Sequence, residues 1–291
     1  MSVDVVLQVL LGGLLLGLVY ALVAAGLSLI FGLMDVVNFA HGELLMLAMY
    51  AAFVLWEGTG LDPFALLLPV AGVMFLAGIG IYRGLIARAL SVQFNRGMVQ
   101  IFVTFGLAIF LTGLAQFMFG GEFRAINKTW LSDRSVQLGG VYVPLAQLAA
   151  AVVCFAAFGL LLAISRTEFG KALEATREDR DAVALIGIDR DRIFALGWGL
   201  GIGAVGIAGV MLSGFYYVGP KVGASFALIA YVTVALGGFG SMAGALVAGI
   251  LIGQVEAITA AVLEPSLKQV GVFAIYLAVL MFRPRGLFGT M

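Results

Sequence analysis

Few residues in this sequence could carry out acid–base, nucleophilic or metal chemistry. It contains one histidine, His41, and one cysteine, Cys154, which lies in an apolar stretch and can form no internal disulfide. Gly170-Lys171 does not belong to a phosphate-binding loop, because Ala172 follows where that motif requires Ser or Thr. We therefore expect no enzyme activity, no metal and no cofactor bound by this chain. If ATP is used, another chain must bind it.

Four polar residues recur at multiples of four within one apolar stretch: Gln100, Thr104, Thr112 and Gln116. Because residues four apart share a helix face, they predict a polar stripe along a membrane helix. Two roles fit such a stripe equally well. It can form hydrogen bonds between helices, or it can line a translocation path.

A second polar segment, Asn38-Phe39-Ala40-His41-Gly42-Glu43, lies where the first apolar stretch meets the second. Asn38 is suited to cap the following helix, and Glu43 suits its first turn, where the helix dipole favours an acid. Capping is the simpler interpretation of this segment, and gating or partner contacts are the alternative for Asn38, His41 and Glu43. Glu256 is an acid in another apolar stretch and hence a functional candidate, but near the outer end of its span we expect it to be hydrated.

Residues 165–192 form the longest polar interruption of the chain. They hold six of the sixteen Lys and Arg residues and seven of the sixteen Asp and Glu residues, so they must lie in water. Apolar residues such as Phe169, Leu173 and Leu185 recur between the charges at helical spacing, and Gly187 is a stop signal. The pattern predicts one or two short amphipathic helices, covered either by the protein's own bundle or by a groove on a partner.

The rest of the chain is apolar. Hydrophobic residues make up 63% and charged residues 11%, and the mean hydropathy is +1.13, values that are typical of a polytopic membrane protein and not of a soluble domain. The net charge of zero gives no basic field for binding nucleic acid. Outside residues 165–192 no polar stretch is long enough to fold alone, so residues 1–291 are predicted to form a single transmembrane domain.

We predict an all-α bundle of about eight or nine membrane segments, since a helix crosses the bilayer core with about 20 apolar residues. The predicted spans are residues 5–33, 40–56, 64–83, 98–120, 144–164, 193–218 and 269–283, with a long apolar tract at 225–263. Glycines break this tract into either two crossings or a re-entrant hairpin, and a broken helix must be buried or line a watery cavity. The candidate structural or gating residues of the break are Gly237, Gly238, Gly240, Ser241 and Gly244.

Basic residues cluster in three regions: Arg83 to Arg96, residues 165–192, and the tail with Arg283 and Arg285. By the positive-inside rule these regions are cytoplasmic, which puts the N-terminus outside and the C-terminus inside. The segment 121–143, which carries three basic residues of its own, is a modest exception.

Four motifs, taken in order, resemble those of a known family. They are residues 38–43 after a span that ends in Gly-Leu-Ser-Leu-Ile-Phe-Gly, Glu174-Ala175 leading to Leu-Ile-Gly-Ile at 185–188, the glycine tract at 237–244, and the tail at 282–289. Each motif is weak alone. Together, over nearly the whole chain, they resemble the permease subunits of branched-chain amino-acid ABC importers.

The resemblance implies a transmembrane permease subunit of an ATP-driven importer in the inner membrane, which translocates branched-chain or related small amino acids. It also implies partners: a second, related permease, two cytoplasmic ABC ATPase subunits and a periplasmic substrate-binding protein. Residues 165–192 are then the coupling loop, and the polar stripe lines the path. The candidate coupling residues are Glu174, Ala175, Arg177, Asp179, Arg180 and Gly187.

This chain departs from the family's coupling pattern, which has E-A-A and then Gly six residues after the Glu. Thr176 replaces the second Ala, and Arg180 stands in place of the Gly. Relatives carry urea, short amides or aromatic acids, so the substrate stays open, as does a homodimeric or heterodimeric permease pair. The alternative function is a self-contained channel or ion-coupled carrier. The lack of Lys, Arg or several acids within the spans speaks against a proton-coupled pump.

Overall fold

The computed structural model describes residues 2–92, 95–127, 129–132, 134–179, 182–185 and 187–289. Over these ranges the chain is a helical bundle with a short antiparallel hairpin of β1 (Ser135–Leu138) and β2 (Val141–Pro144), and the predicted helical fold class is confirmed. A π turn, Tyr82–Ile86, joins α3 to α4, and a 3₁₀ turn, Pro265–Leu267, precedes α12. The helices are α1 (Val3–Met34), α2 (His41–Thr59), α3 (Pro63–Ile81), α4 (Ala87–Ser91), α5 (Arg96–Phe119), α6 (Leu145–Ser165), α7 (Glu168–Glu178), α8 (Ala182–Leu185), α9 (Arg190–Ser213), α10 (Val222–Gly237), α11 (Met242–Val262) and α12 (Lys268–Phe282).

In the described part of the chain, seven helical segments are long and apolar enough to cross a membrane. They are α1, α3 continued through α4, α5, α6, α9, α11, and α12 with the 3₁₀ turn before it. The 19-residue α2 and the 16-residue α10 complete the bundle. The predicted span 193–218 runs too far, because the chain leaves the helix at Gly214.

The two ends of the bundle are marked by different contacts. At the hairpin end, Gln8 of α1 exchanges two hydrogen bonds with the Tyr142 backbone, at 2.6 and 2.7 Å. Asp62, just before α3, accepts the backbone N–H groups of Phe64 and Trp130 there. The opposite end, the α7 end, holds the last turn of α1, helix α7 and the turn between α10 and α11.

Glycines let the long central helix α1 approach its neighbours closely. A Cβ on Gly201 of α9 would lie 2.7 Å from the Gly26 carbonyl oxygen, and a Cβ on Gly17 would lie 2.9 Å from that of Gly249 in α11. Such contacts stabilise membrane bundles because lipid supplies no hydrophobic drive between helices. The core of the bundle is therefore α1 with α9 and α11 against it.

Helix α2 begins inside the bundle instead of at its surface. After α1 ends, Asp35 adopts a left-handed conformation with φ 54° and residues 36–40 turn back alongside α1. The His41 ring Nε2 then lies 2.9 Å from the carbonyl oxygen of Val23. Val23 is eleven residues before the end of α1, a rise of about 16 Å. The first turn of α2 therefore lies buried inside the bundle, far from the end of α1.

The apolar tract at 225–263 is two helices, α10 and α11, joined by a tight turn at the α7 end. Gly238 and Gly240 have φ of 103° and 78°, conformations that favour glycine. The Ser241 hydroxyl caps α11 by accepting the Gly244 N–H at 3.0 Å. At its other end α10 begins level with α2, because a Cβ on Gly223 would lie 3.0 Å from the Gly42 oxygen.

Candidate functional site

The predicted amphipathic helices of the coupling loop are present as α7 and the single-turn α8. Thr167 caps α7 with its hydroxyl accepting the Gly170 N–H at 3.4 Å, and Glu168 and Arg177 occupy the first and last turns that the helix dipole favours for an acid and a base. The helix contacts α1, α6 and α9. The loop therefore begins with a rigid element seated on the bundle.

The two faces of α7 differ sharply. Gly170 and Thr176 are buried against the bundle, and the Thr176 hydroxyl donates to the Ala172 carbonyl at 2.6 Å. That bond satisfies the hydroxyl group at the position where the family pattern has Ala. Five charged residues of α7 are exposed: Glu168, Lys171, Glu174, Arg177 and Glu178. Leu185 of α8 is 89% exposed. This outward surface is the part of the loop available to a partner.

Arg177 reaches back from α7 towards the glycine turn. Its Nη2 lies 3.1 Å from the position of a Cβ on Gly240, and its Nη1 lies 3.9 Å from that of a Cβ on Gly32. A cavity of about 200 Å³ beside it is lined by Glu174, Leu173 and residues of α1, α6 and the turn. A side chain at Gly240 would crowd the guanidinium, which would have to shift by a few tenths of an ångström. Arg177 thus lies against the α10–α11 turn and brings α7 into contact with it.

The remaining candidate coupling residues lie around this helix. Ala175 is half-buried, Asp179 follows the last turn of α7, and Gly187 adopts φ 85° after α8. Arg180 lies outside the described residues. The coupling role of all six remains a prediction.

The C-terminal tail completes the α7 end by closing α10. The Leu287 N–H donates to the Leu236 carbonyl at 2.8 Å, and the Phe288 N–H donates to the Gly237 carbonyl at 3.0 Å. These two carbonyls belong to the last turn of α10, whose acceptors a helix leaves unpaired. The third and fourth family motifs therefore meet in space, a contact that no local sequence pattern predicts.

The polar segment at the start of α2 is buried. Asn38 accepts the Ala40 N–H with its side chain at 3.1 Å and the His41 N–H with its carbonyl at 3.1 Å, and Tyr231 of α10 donates its hydroxyl to the same carbonyl at 2.9 Å. Asn38 thus stabilises the turn into the helix but does not cap α2, contrary to the prediction, because Ala40 occupies the N-cap position and no described side chain caps the helix. Among the described residues, however, no hydrogen-bond partner meets Asn38 Nδ2, His41 Nδ1 or Glu43 Oε2.

The polar stripe of α5 divides into two halves. Gln100 and Thr104 are buried, and the Thr104 hydroxyl can donate to the Gln100 carbonyl at 2.9 Å or to the Val37 carbonyl at 3.3 Å. Thr112 is half-buried and Gln116 is exposed. The inner half, Gln100 and Thr104, therefore contacts the segment that leads into α2. In the outer half, Thr112 is partly covered and Gln116 faces away from this chain. A role for the stripe as a path lining remains a prediction.

Glu256 is buried, whereas its position near the end of its span predicted an exposed, hydrated side chain. It is 3% exposed, and Tyr20 of α1 donates its hydroxyl to Oε2 at 2.7 Å. Lys268, at the start of α12, places Nζ 2.6 Å from Oε1. The sequence did not reveal this pair, because Lys268 comes twelve residues later, beyond a turn whose direction the pattern left open. No group of three or more His, Cys, Asp or Glu residues able to hold a metal ion occurs among the residues described.

Comparison with known proteins identifies the family. A family model described as the permease component of branched-chain amino acid transport systems matches residues 9–280. The chain belongs to this permease family. The resemblance drawn from the four motifs is thus confirmed, and this permease component is a multi-pass transport subunit and not an enzyme.

Individual relatives of this permease agree with that assignment. The high-affinity branched-chain amino acid transport system permease protein BraD of Pseudomonas aeruginosa is 33% identical, with 97% of this chain and 95% of BraD aligned. The corresponding LivH proteins of Salmonella typhimurium and Escherichia coli are 29% identical, with the same shares of both chains aligned. No solved structure matches the permease significantly.

Proposed function

We propose that this permease is the membrane subunit of an ATP-driven importer, and that it conducts branched-chain or similar small amino acids across the inner membrane. The family match over residues 9–280 carries the proposal. The partners would be a second permease, two ATPase subunits and a periplasmic binding protein. In this proposal the chain itself binds no cofactor.

The charge distribution supports an orientation with the α7 end in the cytoplasm. Arg83 follows α3 at this end, as the hydrogen bond from Tyr82 to Asp191 beside the start of α9 indicates. Arg283 and Arg285 of the tail lie there too, as do Arg166, Lys171 and Arg177 of the coupling loop. Cytoplasmic ends of membrane proteins carry such an excess of Lys and Arg. The hairpin end would then face the binding protein.

The geometry of α7 suggests how an ATPase would act on the bundle. The exposed charges of α7, among them Glu174, form the docking surface together with the exposed Leu185, and Asp179 follows at the end of the helix. A displacement of α7 would pass through Arg177 to the glycine turn and so to α10 and α11. Small shifts of one packed element are transmitted in this way to its rigid neighbours.

The proposal is tested by purifying the permease through an affinity tag from native membranes and identifying the proteins that accompany it. We expect a P-loop ATPase and a second permease. The purified complex, placed in liposomes with its binding protein, should accumulate leucine only when ATP is supplied on the side of the ATPase. Leucine flux through this chain alone, without an ATPase, would contradict the proposal and support a channel or carrier.

A further inference from the structure

A cavity of about 330 Å³ opens beside Glu256 at the hairpin end of the bundle. Its walls come from α1, α6, α11, the start of α12 and the residues that follow α9. Leu16, Ala257 and Ala260 supply apolar surface, whereas Gln147 and Tyr216 add polar groups. The volume lies at the lower end of the range of about 300–1,000 Å³ found for small-molecule sites. The cavity therefore fits one small solute with an apolar part.

The charges in this cavity form an ion pair. Tyr20 occupies Oε2 of Glu256 with a hydrogen bond of 2.7 Å. Lys268 Nζ lies 2.6 Å from Oε1, and a carboxylate oxygen has a second lone pair with which it can accept a further donor. The Lys268 side chain is 34% exposed, and its flexible stem lets the ammonium move. The Glu256 carboxylate on α11, in contrast, is held in place by the hydrogen bond from Tyr20 of α1.

A zwitterion can enter such a pair without leaving a buried charge unpaired. Its ammonium group would donate to Oε1 of Glu256 while its carboxylate accepted from Nζ of Lys268, so that two ion pairs replace one. A neutral solute, a cation or an anion inserted between Glu256 and Lys268 would leave the buried Glu256 carboxylate or the solute's own charge without a partner, which is unfavourable where Glu256 is only 3% exposed. The site therefore selects zwitterionic solutes over neutral, cationic and anionic ones, whatever their side chain.

We propose that the cavity lined by Glu256 and Lys268 binds an α-amino acid, whose ammonium and carboxylate groups insert between these two residues and whose apolar side chain lies against Leu16, Ala257 and Ala260. The site rests on the proposed function and deepens it. It favours amino acids over the urea and amide substrates that the sequence left open. A phosphatidylethanolamine headgroup offers the same pair of charges, so the experiment must separate the two sources.

The test measures binding of tritiated leucine to the purified complex without its binding protein, in nanodiscs of phosphatidylcholine only. Isoamylamine lacks the carboxylate of leucine, and 4-methylpentanoate lacks its ammonium group. We expect each to compete at least about tenfold more weakly than unlabelled leucine, because a hydrogen bond to a charged group is lost. Equal competition by either analogue, or no saturable leucine binding, would overturn the proposal.

Two variants locate the site. Glu256→Gln and Lys268→Met should each weaken leucine binding about tenfold or more, whereas Lys221→Met, which removes an exposed lysine before α10, should leave it unchanged. If Glu256→Gln does not assemble, Lys268→Met and the analogue series still decide. Unchanged binding in Lys268→Met rejects the site. Loss of leucine binding on addition of phosphatidylethanolamine assigns the cavity to lipid and also rejects it.

The failure of this inference differs from failure of the proposed function. ATP-dependent leucine uptake by the complete system, together with unaltered leucine binding in Lys268→Met, would refute only the Glu256–Lys268 site. Absence of ATP-dependent uptake of any amino acid by the wild-type complex would refute the importer itself.

Discussion

The central and peripheral helices of the bundle are held by different means. Most residues of the membrane-spanning part of α9 are buried, whereas most of those in α12 are not. The centre relies on glycines that bring backbones together, and α12 relies on the Lys268–Glu256 pair and the contact of Gly271 with Thr259. The stability of the centre should therefore fall steeply when side-chain volume is added. At the periphery, loss of a charge or of a hydrogen-bond partner should matter more than added volume.

The largest expected effect is that of a bulky side chain at the α1–α9 contact. Gly201→Leu places a Cβ 2.7 Å from the Gly26 oxygen and should reach or exceed the upper end of the roughly 1–3 kcal/mol that overpacking costs. We expect little monodisperse protein by size-exclusion chromatography. Gly113→Leu on α5, where no atom lies within 4 Å of an added Cβ, is the matched control. Similar losses for both variants would remove the distinction between centre and periphery.

A smaller effect is expected at the turn between α10 and α11. Gly238 has φ 103° and lies against the tail, so Gly238→Ala combines strain with a clash at the Gly289 nitrogen. The strain alone costs about 1–3 kcal/mol. The tail should detach, and trypsin should cleave after the exposed Arg285 faster than in wild type. Gly58→Ala, with open space around the added Cβ, should not alter the cleavage rate; a wild-type rate in Gly238→Ala would mean that the tail is not held there.

A still smaller effect is expected where α5 meets the segment before α2. Thr104→Val keeps the side-chain shape but removes the hydroxyl that can donate to Gln100 or Val37, at a cost of about 0.5–1.5 kcal/mol. Thermal unfolding should begin at a lower temperature, and leucine uptake should slow without loss of assembly. Thr112→Val, at a half-buried position of the same stripe, is the comparison. If only Thr112→Val slows uptake, the path follows the outer half.

The smallest effect on stability is expected on α7, where two basic residues can be compared. Lys171 pairs with Glu168 at 2.9 Å, but both side chains are exposed, so Lys171→Met should change stability by about 0–1 kcal/mol. Arg177→Met should be equally mild for stability but should reduce the uptake achieved per ATP hydrolysed, because it removes the link to the glycine turn. An unchanged ratio of uptake to hydrolysis would exclude Arg177 from coupling.

Much of this architecture could be predicted from the sequence because membrane helices are recognised by long, uninterrupted apolar segments. The predicted spans match α1, α3, α5 and α6 closely, and the glycine break correctly separated α10 from α11. The hairpin at 135–144 was missed because its strands are only four residues long.

What the sequence could not provide were contacts between distant segments. The burial of Glu256 depends on Tyr20, 236 positions earlier in the chain, and on the direction taken after α11. The depth at which α2 begins depends on the turn of residues 35–40 back along α1, and hydropathy does not record such a reversal. Local patterns fix which residues form helices, whereas these sites arise from how the helices assemble.

The closure of α10 by the tail bears on how the protein is made. Leu287 is synthesised 51 residues after its acceptor Leu236, so the final carbonyls of α10 stay unpaired while α11 and α12 are being made. The α7 end therefore matures only after the tail has emerged from the ribosome. A nonsense codon at Arg285 would remove both donors, Leu287 and Phe288, and it would leave that helix end open in every chain produced.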